Sequence, residues 1–258
     1  MMRRIPLSTA SNMRDLGGYP VTGESPALGE SPAMEASPVM GGYPALNGRF
    51  TQYGRIYRSD CPSTLTDGDM AWMQRLDIRT VIDMRSKVEC DEVPSAYRTI
   101  PGVAYHRCPF TIGANYPETE QDIPNTYLAM FADEENMARI LAHIAAAEGA
   151  VVFHCVAGKD RTGVVAATLL TMAGVPFDDV LADYQVSRTY LRAFLRERRA
   201  SHPDMPEWAG RSESWYLEQS LGELLRRDKG IDGYLDRLGL SMDQRQAILM
   251  RLLGSDPG

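Results

Sequence analysis

The sequence predicts an α/β fold, and three observations carry that expectation. Short apolar, partly β-branched runs recur at Val81-Ile82, at Val103-Ala104-Tyr105-His106-Arg107 and at Ala150-Val151-Val152-Phe153. Stretches with a helical load separate and follow them. Beyond Phe177 the chain reads as largely helical. In order along the chain, Thr66-Asp67-Gly68-Asp69 opens a helix, because threonine followed three residues later by an acidic side chain satisfies the free N–H groups of a helix start. That helix runs through Trp72 and Met73 to Leu76, and the strands at Val81-Ile82 and residues 103–107 come next. Residues 125–147 read mostly as helix, with Gly149 past the end. A later helix from Val164 stops at Gly174, with Pro176 beyond; glycine accepts the conformation of a helix end, and proline cannot continue one. Pro203-Asp204-Met205-Pro206 marks a break between two of the late helices.

At 258 residues the chain can bury a sizeable core, and nothing divides it, so a single domain over residues 1–258 is expected. One segment stands apart. Gly17-Gly18-Tyr19-Pro20 recurs as Gly41-Gly42-Tyr43-Pro44 and brackets Ser25-Pro26, Ser31-Pro32 and Ser37-Pro38. Residues from about 22 to 46 therefore read as a low-complexity insertion, too poor in apolar side chains to offset its ordering entropy. Mobility is the expectation there, with a docking role as the alternative. A net charge of −7 and a pI near 5.2 argue against a general nucleic-acid binder. Cys61, Cys90, Cys108 and Cys155 lack paired or metal-ligand spacing, which suits a reducing compartment and indicates no metal site. Met1-Met2-Arg3-Arg4 is basic, but Ile5-Pro6-Leu7-Ser8-Thr9 is too short and polar for a signal-peptide core, and no other segment reads as a membrane span. The expected location is cytoplasmic; export without a signal peptide would leave no trace.

The most informative stretch is His154-Cys155-Val156-Ala157-Gly158-Lys159-Asp160-Arg161-Thr162-Gly163, which joins the apolar run 150–153 to a helix. A helix N-terminus offers unpaired N–H groups and the positive end of its dipole, both of which favour an anion. Gly158 and Gly163 let the backbone curl with its amides inward. Cys155 opens this cradle and Arg161 closes it, so residues 156–161 are the expected phosphate contacts: Val156, Ala157, Gly158, Lys159, Asp160 and Arg161. The same amides and guanidinium favour the thiolate of Cys155, which makes it the candidate nucleophile. Arg161 can grip two phosphate oxygens with its planar fork, as lysine cannot. A cysteine and an arginine five residues apart are a weak pattern alone, but His154, Gly158, Thr162 and Gly163 strengthen it. The bland alternative, a tight turn holding an inert cysteine, has no need of Lys159, Asp160 and Arg161 together.

This stretch resembles the catalytic loop of the protein tyrosine phosphatase superfamily, and its Gly-Lys-Asp-Arg-Thr-Gly ending is similar to that of atypical bacterial tyrosine and lipid phosphatases. Four further blocks are similar to that family: Asn12-Met13-Arg14-Asp15-Leu16-Gly17-Gly18-Tyr19; Gly54-Arg55-Ile56-Tyr57-Arg58-Ser59; Leu76-Asp77-Ile78-Arg79-Thr80-Val81-Ile82-Asp83-Met84-Arg85-Ser86; and Gly230-Ile231-Asp232-Gly233-Tyr234-Leu235. The resemblance implies a central mixed sheet flanked by helices, a phosphocysteine intermediate, and neither metal nor cofactor. It implies phosphotyrosine as substrate, with phosphoserine, phosphothreonine and phosphoinositides also open, because Lys159 resembles a loop lysine of lipid-directed branches. Helices after the loop are expected to pack on the sheet or to fold over the site as a lid.

Hydrolysis through such an intermediate needs a proton for the leaving alcohol and an activated water. Asp160 is the first candidate, since a bound phosphate dianion opposes its ionisation, while Lys159 and Arg161 pull the other way. The family resemblance also favours the loop aspartate. Asp83, at the end of the strand Thr80-Val81-Ile82, is second, with pairing to Arg85 or Arg14 as its structural alternative. Asp122 is third, by a position resembling an acid on a separate mobile loop, with helix capping as its alternative. His154, alternating to the opposite face from Cys155, is expected to orient the loop by bonding its backbone. Arg14 and Asp15 either brace the site or form an ordinary surface ion pair; Thr162 completes the supporting set.

Arg188, Arg192, Arg196 and Arg199 recur at helical spacing opposite Val186, Tyr190 and Phe194. They read first as a solvated helix face, and second as a means of recruiting a phosphoinositide head group or an anionic membrane surface. Two other functions fit parts of the pattern. A rhodanese-like sulfur transferase also uses a cysteine cradle, but Asp160-Arg161-Thr162 argues against it. A non-catalytic phosphate-binding module would not need Cys155, Asp160 and Arg161 together.

Overall fold

The computed structural model describes residues 3–21, 49–110 and 117–254, so the Ser-Pro segment at about 22–46 lies outside the described residues. The strands are β1 (Arg14–Asp15), β2 (Pro20–Val21), β3 (Arg49–Phe50), β4 (Ile56–Ser59), β5 (Ile78–Asp83), β6 (Ala104–Arg107) and β7 (Ala150–His154). The helices are α1 (Asp67–Arg75), α2 (Lys87–Glu92), α3 (Ile123–Phe131), α4 (Glu134–Ala146), α5 (Asp160–Met172), α6 (Phe177–Tyr190), α7 (Arg192–Ser201), α8 (Ser214–Arg227), α9 (Ile231–Arg237) and α10 (Met242–Leu253). Five strands form a mixed sheet in the order β1-β4-β7-β5-β6, with β1 antiparallel to β4 and the other pairs parallel. β2 and β3 make a separate antiparallel pair.

Period-two alternation explains how the central strand is covered on both faces. Val151 and Phe153 of β7 point into a large cluster with Phe131 of α3, Ile140 of α4 and Leu169 of α5. Ala150 and Val152 point the other way, against Met13, Met73 of α1 and Tyr97. On β5 a register shift against β7 leaves Arg79 as an extra residue, which is how Ile78 and Val81 share a face despite their odd spacing.

Local chemistry sets the helix starts. Thr66 and Asp69 form the expected capping box on α1, and Ser86 and Glu89 form another on α2. Residues 125–147 are not one helix: α3 ends at Phe131, and Asp133 caps a new helix by accepting from Asn136 N at 3.4 Å. α5 begins at Asp160, earlier than its apolar load indicated, so the charged end of the loop is the helix's first turn. The arginine stripe does not lie on a single helix, because the chain breaks at Leu191, with Arg188 on α6 and Arg192, Arg196 and Arg199 on α7. Arg188, though exposed, pairs with Glu213 at 3.0 Å, and Arg199 donates to the Glu207 and Ala209 carbonyls, so two of the four arginines are engaged within the protein.

The sheet register places the site. Ser59 of β4 and Asp83 of β5 both lie beside His154 of β7, so the chain leaves the sheet at Cys155 between the carboxyl ends of two parallel neighbours.

Candidate active site

The loop after β7 is held by its carbonyls. Cys61 N–H donates to the Val156 carbonyl at 3.0 Å, and Asn12 Nδ2 donates to Ala157 and Gly158 at 2.9 and 3.0 Å. Arg58 Nη2 donates to Gly158 at 2.9 Å and to Lys159 at 3.3 Å. In a trans peptide the C=O and the following N–H point in opposite directions, and no described peptide bond is cis. Carbonyls drawn outward therefore turn the N–H groups of Ala157, Gly158, Lys159 and Asp160 to the opposite side, as an anion cradle requires. Gly158 is needed twice over: its φ is +65°, and a Cβ there would meet the Ser59 backbone at 2.5 Å. Gly163 acts otherwise than the sequence indicated. It lies inside α5, where a Cβ would meet the Tyr184 ring at 3.0 Å, so it permits close packing rather than curling the loop.

The groups that hold the cradle are themselves held. Asp183, fully buried on α6, accepts from Arg14 Nε at 2.8 Å, from Tyr19 Oη at 2.8 Å and from Arg58 Nη1. Arg14 Nη1 donates to Asn12 Oδ1 at 2.7 Å, which turns the Asn12 amide toward the loop. Burial opposes the charge on Asp183, but the two guanidinium groups outweigh it and hold the carboxyl well below its ordinary range. Arg14 is thus a buried brace. Asp15 is not its partner; its oxygens accept from the Gly17 and Gly54 amides at 2.8 and 2.7 Å and fasten a neighbouring turn.

Arg161 is buried and presents its Nη1/Nη2 edge to Glu89, with both bonds at 2.7 Å. Nη1 also lies 3.5 Å from the Met84 carbonyl. A guanidinium has five donors, so the Nε/Nη2 edge keeps two N–H groups for other oxygens. Burial opposes ionisation of Glu89, yet the bonds and charge of Arg161 win and keep its carboxyl below the ordinary range. Cys155 is buried, and Thr162 Oγ1, one residue past Arg161, is buried without a hydrogen-bond partner among the described residues. Lys159 Nζ donates to the Arg211 carbonyl at 2.6 Å, which brings the segment between α7 and α8 to the edge of the loop. Asp160 is partly exposed and accepts from Tyr127 Oη.

His154 behaves as an orienting residue. Burial pushes its imidazole below the ordinary value despite Asp83 at 3.9 Å, so the ring is neutral, and Nδ1 as donor faces the Cys155 carbonyl at 3.2 Å. Ser95 Oγ lies 3.4 Å from Nε2. Asp83 is paired with Arg85 rather than Arg14, through Nη2 at 2.7 Å and Nε at 3.0 Å, and also accepts from Tyr105. Burial opposes its charge, but the bonds and charge of Arg85 and the bond from Tyr105 hold the carboxyl well below its usual range, which suits a fixed anion rather than a proton donor. Asp122 accepts from Thr119 Oγ1 at 2.7 Å, the capping alternative.

A mixed sheet whose central strand runs into an amide cradle, opened by a cysteine and closed by an arginine, defines an α/β protein with a loop whose geometry suits an anion. The chain belongs to the tyrosine phosphatase family, whose profile matches residues 40–254, and by family it is a phosphatase. It is similar to a tyrosine-protein phosphatase of Nostoc commune, 28% identical over 210 residues, which covers 73% of this chain and 70% of that protein. It is also similar to the triple specificity protein phosphatase PtpB of Mycobacterium tuberculosis, 31% identical over 166 residues, covering 51% of this chain and 60% of that protein. The solved structure of TpbA from P. aeruginosa aligns with 59% of this chain and 90% of its own at a TM-score of 0.36 and 21% identity. The family match begins after the block Asn12 to Tyr19, yet Asn12 and Arg14 reach the loop directly or through one residue. Among the described residues, no helix is long and apolar enough to cross a membrane.

Besides Arg58, which donates to two loop carbonyls, four residues at the site escaped the sequence reading as functional parts. Glu89 was legible only as a capping residue, since Arg161 is 72 positions away. Asp183 left a faint signal, a charge on the stripe Val180, Asp183, Ser187 that α6 buries. Tyr127 and the cradle-binding role of Asn12 left none.

Proposed function

We propose that the protein hydrolyses phosphomonoesters, phosphotyrosine first among them, through a phosphocysteine intermediate at Cys155. The observation that carries this reading is the outward anchoring of four consecutive loop carbonyls, which turns the N–H groups of residues 157–160 to the opposite side, where a bound phosphate would need donors. The Cys155 thiolate attacks phosphorus, an S–P bond forms as the ester P–O bond breaks, and Asp160 protonates the leaving oxygen. Water then attacks phosphorus, Asp160 takes its proton, the S–P bond breaks, and inorganic phosphate leaves. Charge on the equatorial oxygens meets the loop amides and the free edge of Arg161, donors already in place before the reaction. Lys159, Thr162, His154 and the Glu89 brace support that arrangement, and the segment carrying Arg211 is the part of the helical C-terminal region placed to act as a lid.

The name of PtpB, triple specificity, supports testing more than one substrate class. Phosphate release is to be measured from a phosphotyrosine peptide, a phosphoserine peptide and phosphoinositide vesicles, with a metal chelator present. Chelator-resistant turnover that Cys155→Ser abolishes, and that Asp160→Ala lowers by about 10²- to 10⁴-fold, is the expected result. Binding of the phosphopeptide without turnover would instead favour a phosphate-binding module.

A further inference from the structure

Asp160 meets two donors through one oxygen. Tyr127 Oη, from α3, donates to Oδ1, and Lys159 Nζ stands 3.2 Å from the same atom. No side chain or amide among the described residues donates a hydrogen bond to Oδ2, and the side chain is 36% exposed. Tyr127 Oη also lies 2.6 Å from Tyr184 Oη of α6. A phenol carries one proton. With that of Tyr127 given to Asp160, the proton between the two tyrosines belongs to Tyr184, and donation runs from Tyr184 to Tyr127 to Oδ1. Both rings are buried; burial first, and the nearby Asp160 charge second, push both phenols well above their ordinary range, so neither gives up its proton near neutral pH.

We infer that Tyr127, oriented by Tyr184, is a positioning residue that reserves Oδ2 of Asp160 for the transferable proton. The inference rests on the proposed role of Asp160 as acid and base. With Oδ1 taken by Tyr127 and Lys159, the protonated carboxyl carries its hydrogen on Oδ2. That hydrogen passes to the leaving oxygen as the P–O bond breaks, and Oδ2 takes one back from the attacking water. The groups that face Asp160 are Lys159 on the loop, Arg161 on its own helix, Tyr127 from α3 and Tyr184 from α6. Loss of the Tyr127 hydroxyl frees Oδ1 as a second seat for the proton, so transfer to the leaving oxygen falls while phosphate binding stays.

The test compares kcat and KM for wild type, Tyr127→Phe and the double variant Tyr127→Phe/Tyr184→Phe. Phenyl phosphate needs a proton on its leaving group, and p-nitrophenyl phosphate needs little. Melting temperature and inhibition by inorganic phosphate are read on the same samples. Tyr127→Phe is expected to lose about ten-fold on phenyl phosphate, far less on p-nitrophenyl phosphate, and to keep its inhibition by phosphate. The double variant orphans no buried hydroxyl and keeps the edge-on ring contact at 6.0 Å, so it should show the same signature even where the single variant folds poorly. Equal losses on the two substrates would overturn the positioning role. Full turnover of phenyl phosphate by Asp160→Ala would overturn it too, by removing the acid. An inactive wild type or an active Cys155→Ser would sink the proposed function itself, an outcome read before any tyrosine variant.

Discussion

Arg161 faces two demands at once, to hold a fixed direction and to keep donors for a substrate. Its end-on edge is spent on Glu89, which leaves the side-on edge aimed by a carboxylate that α2 presents through its own capping box. Lysine would keep the charge but has one nitrogen, so it cannot face Glu89 and two phosphate oxygens in these directions. Arg161→Lys is therefore expected to lower kcat/KM by about 10²- to 10³-fold, the scale of losing a fixed donor to a developing anion, with little change in melting temperature. Steady-state kinetics beside a thermal melt checks both halves. Residue chemistry of this kind was partly legible: the cysteine, the arginine and the loop aspartate stand within seven consecutive positions, but the partner that directs the arginine does not.

At the scale of elements, the loop and the start of α5 work as one piece, because the cradle's amides exist only if the turn at Gly158 is made. A side chain there needs a left-handed backbone and collides with the Ser59 and Asp60 backbone, neither of which can yield as the far end of a flexible side chain would. Gly158→Ala should cost about 1–3 kcal/mol of stability and abolish tight binding of inorganic phosphate or vanadate. Isothermal titration with vanadate, with a melt on the same sample, would show it; retained affinity would mean that the loop closes by another route. The alternation of strand and helix was legible because β7 and β5 carry short continuous apolar runs. The break at Asp133 and the early start of α5 were harder to see, since charged capping residues interrupt no apolar pattern.

For the whole molecule, the deciding contact is the one that ties α6 to β1 and β4. Asp183 is the shared acceptor for two buried guanidinium groups, and those groups in turn hold Asn12 and the loop carbonyls. Asp183→Asn leaves two buried cations without a counter-charge and should destabilise the fold by about 3–5 kcal/mol, with loss of activity as the loop loosens. The pH dependence has a definite sign. Because the folded carboxyl sits below its ordinary value, its stabilisation is present above the unfolded value of about 3.9 and is lost as pH falls below that toward the folded value. Urea midpoints at pH 7, 5 and 3 should drop between the last two in wild type, and the part owed to Asp183 should vanish in Asp183→Asn. An equally steep acid loss in that variant would assign it to other carboxylates, Asp83 among them.

What the sequence determined by itself is local: the apolar periods that make strands and helices, the caps that start them, and the loop in which nucleophile, acid and cationic clamp follow one another on one backbone segment. Those signals are legible because the residues that cooperate are neighbours, so spacing stands in for distance. What only the tertiary structure decided is how that loop is held open and charged. Asn12, Arg14, Arg58, Glu89, Tyr127 and Asp183 are brought to it from five separate places in the chain. Their pairing depends on sheet order and helix packing, which no local pattern encodes. The physical reason is burial: these charged and polar groups find partners only when the fold removes them from water together, so their roles come into being with the packed structure.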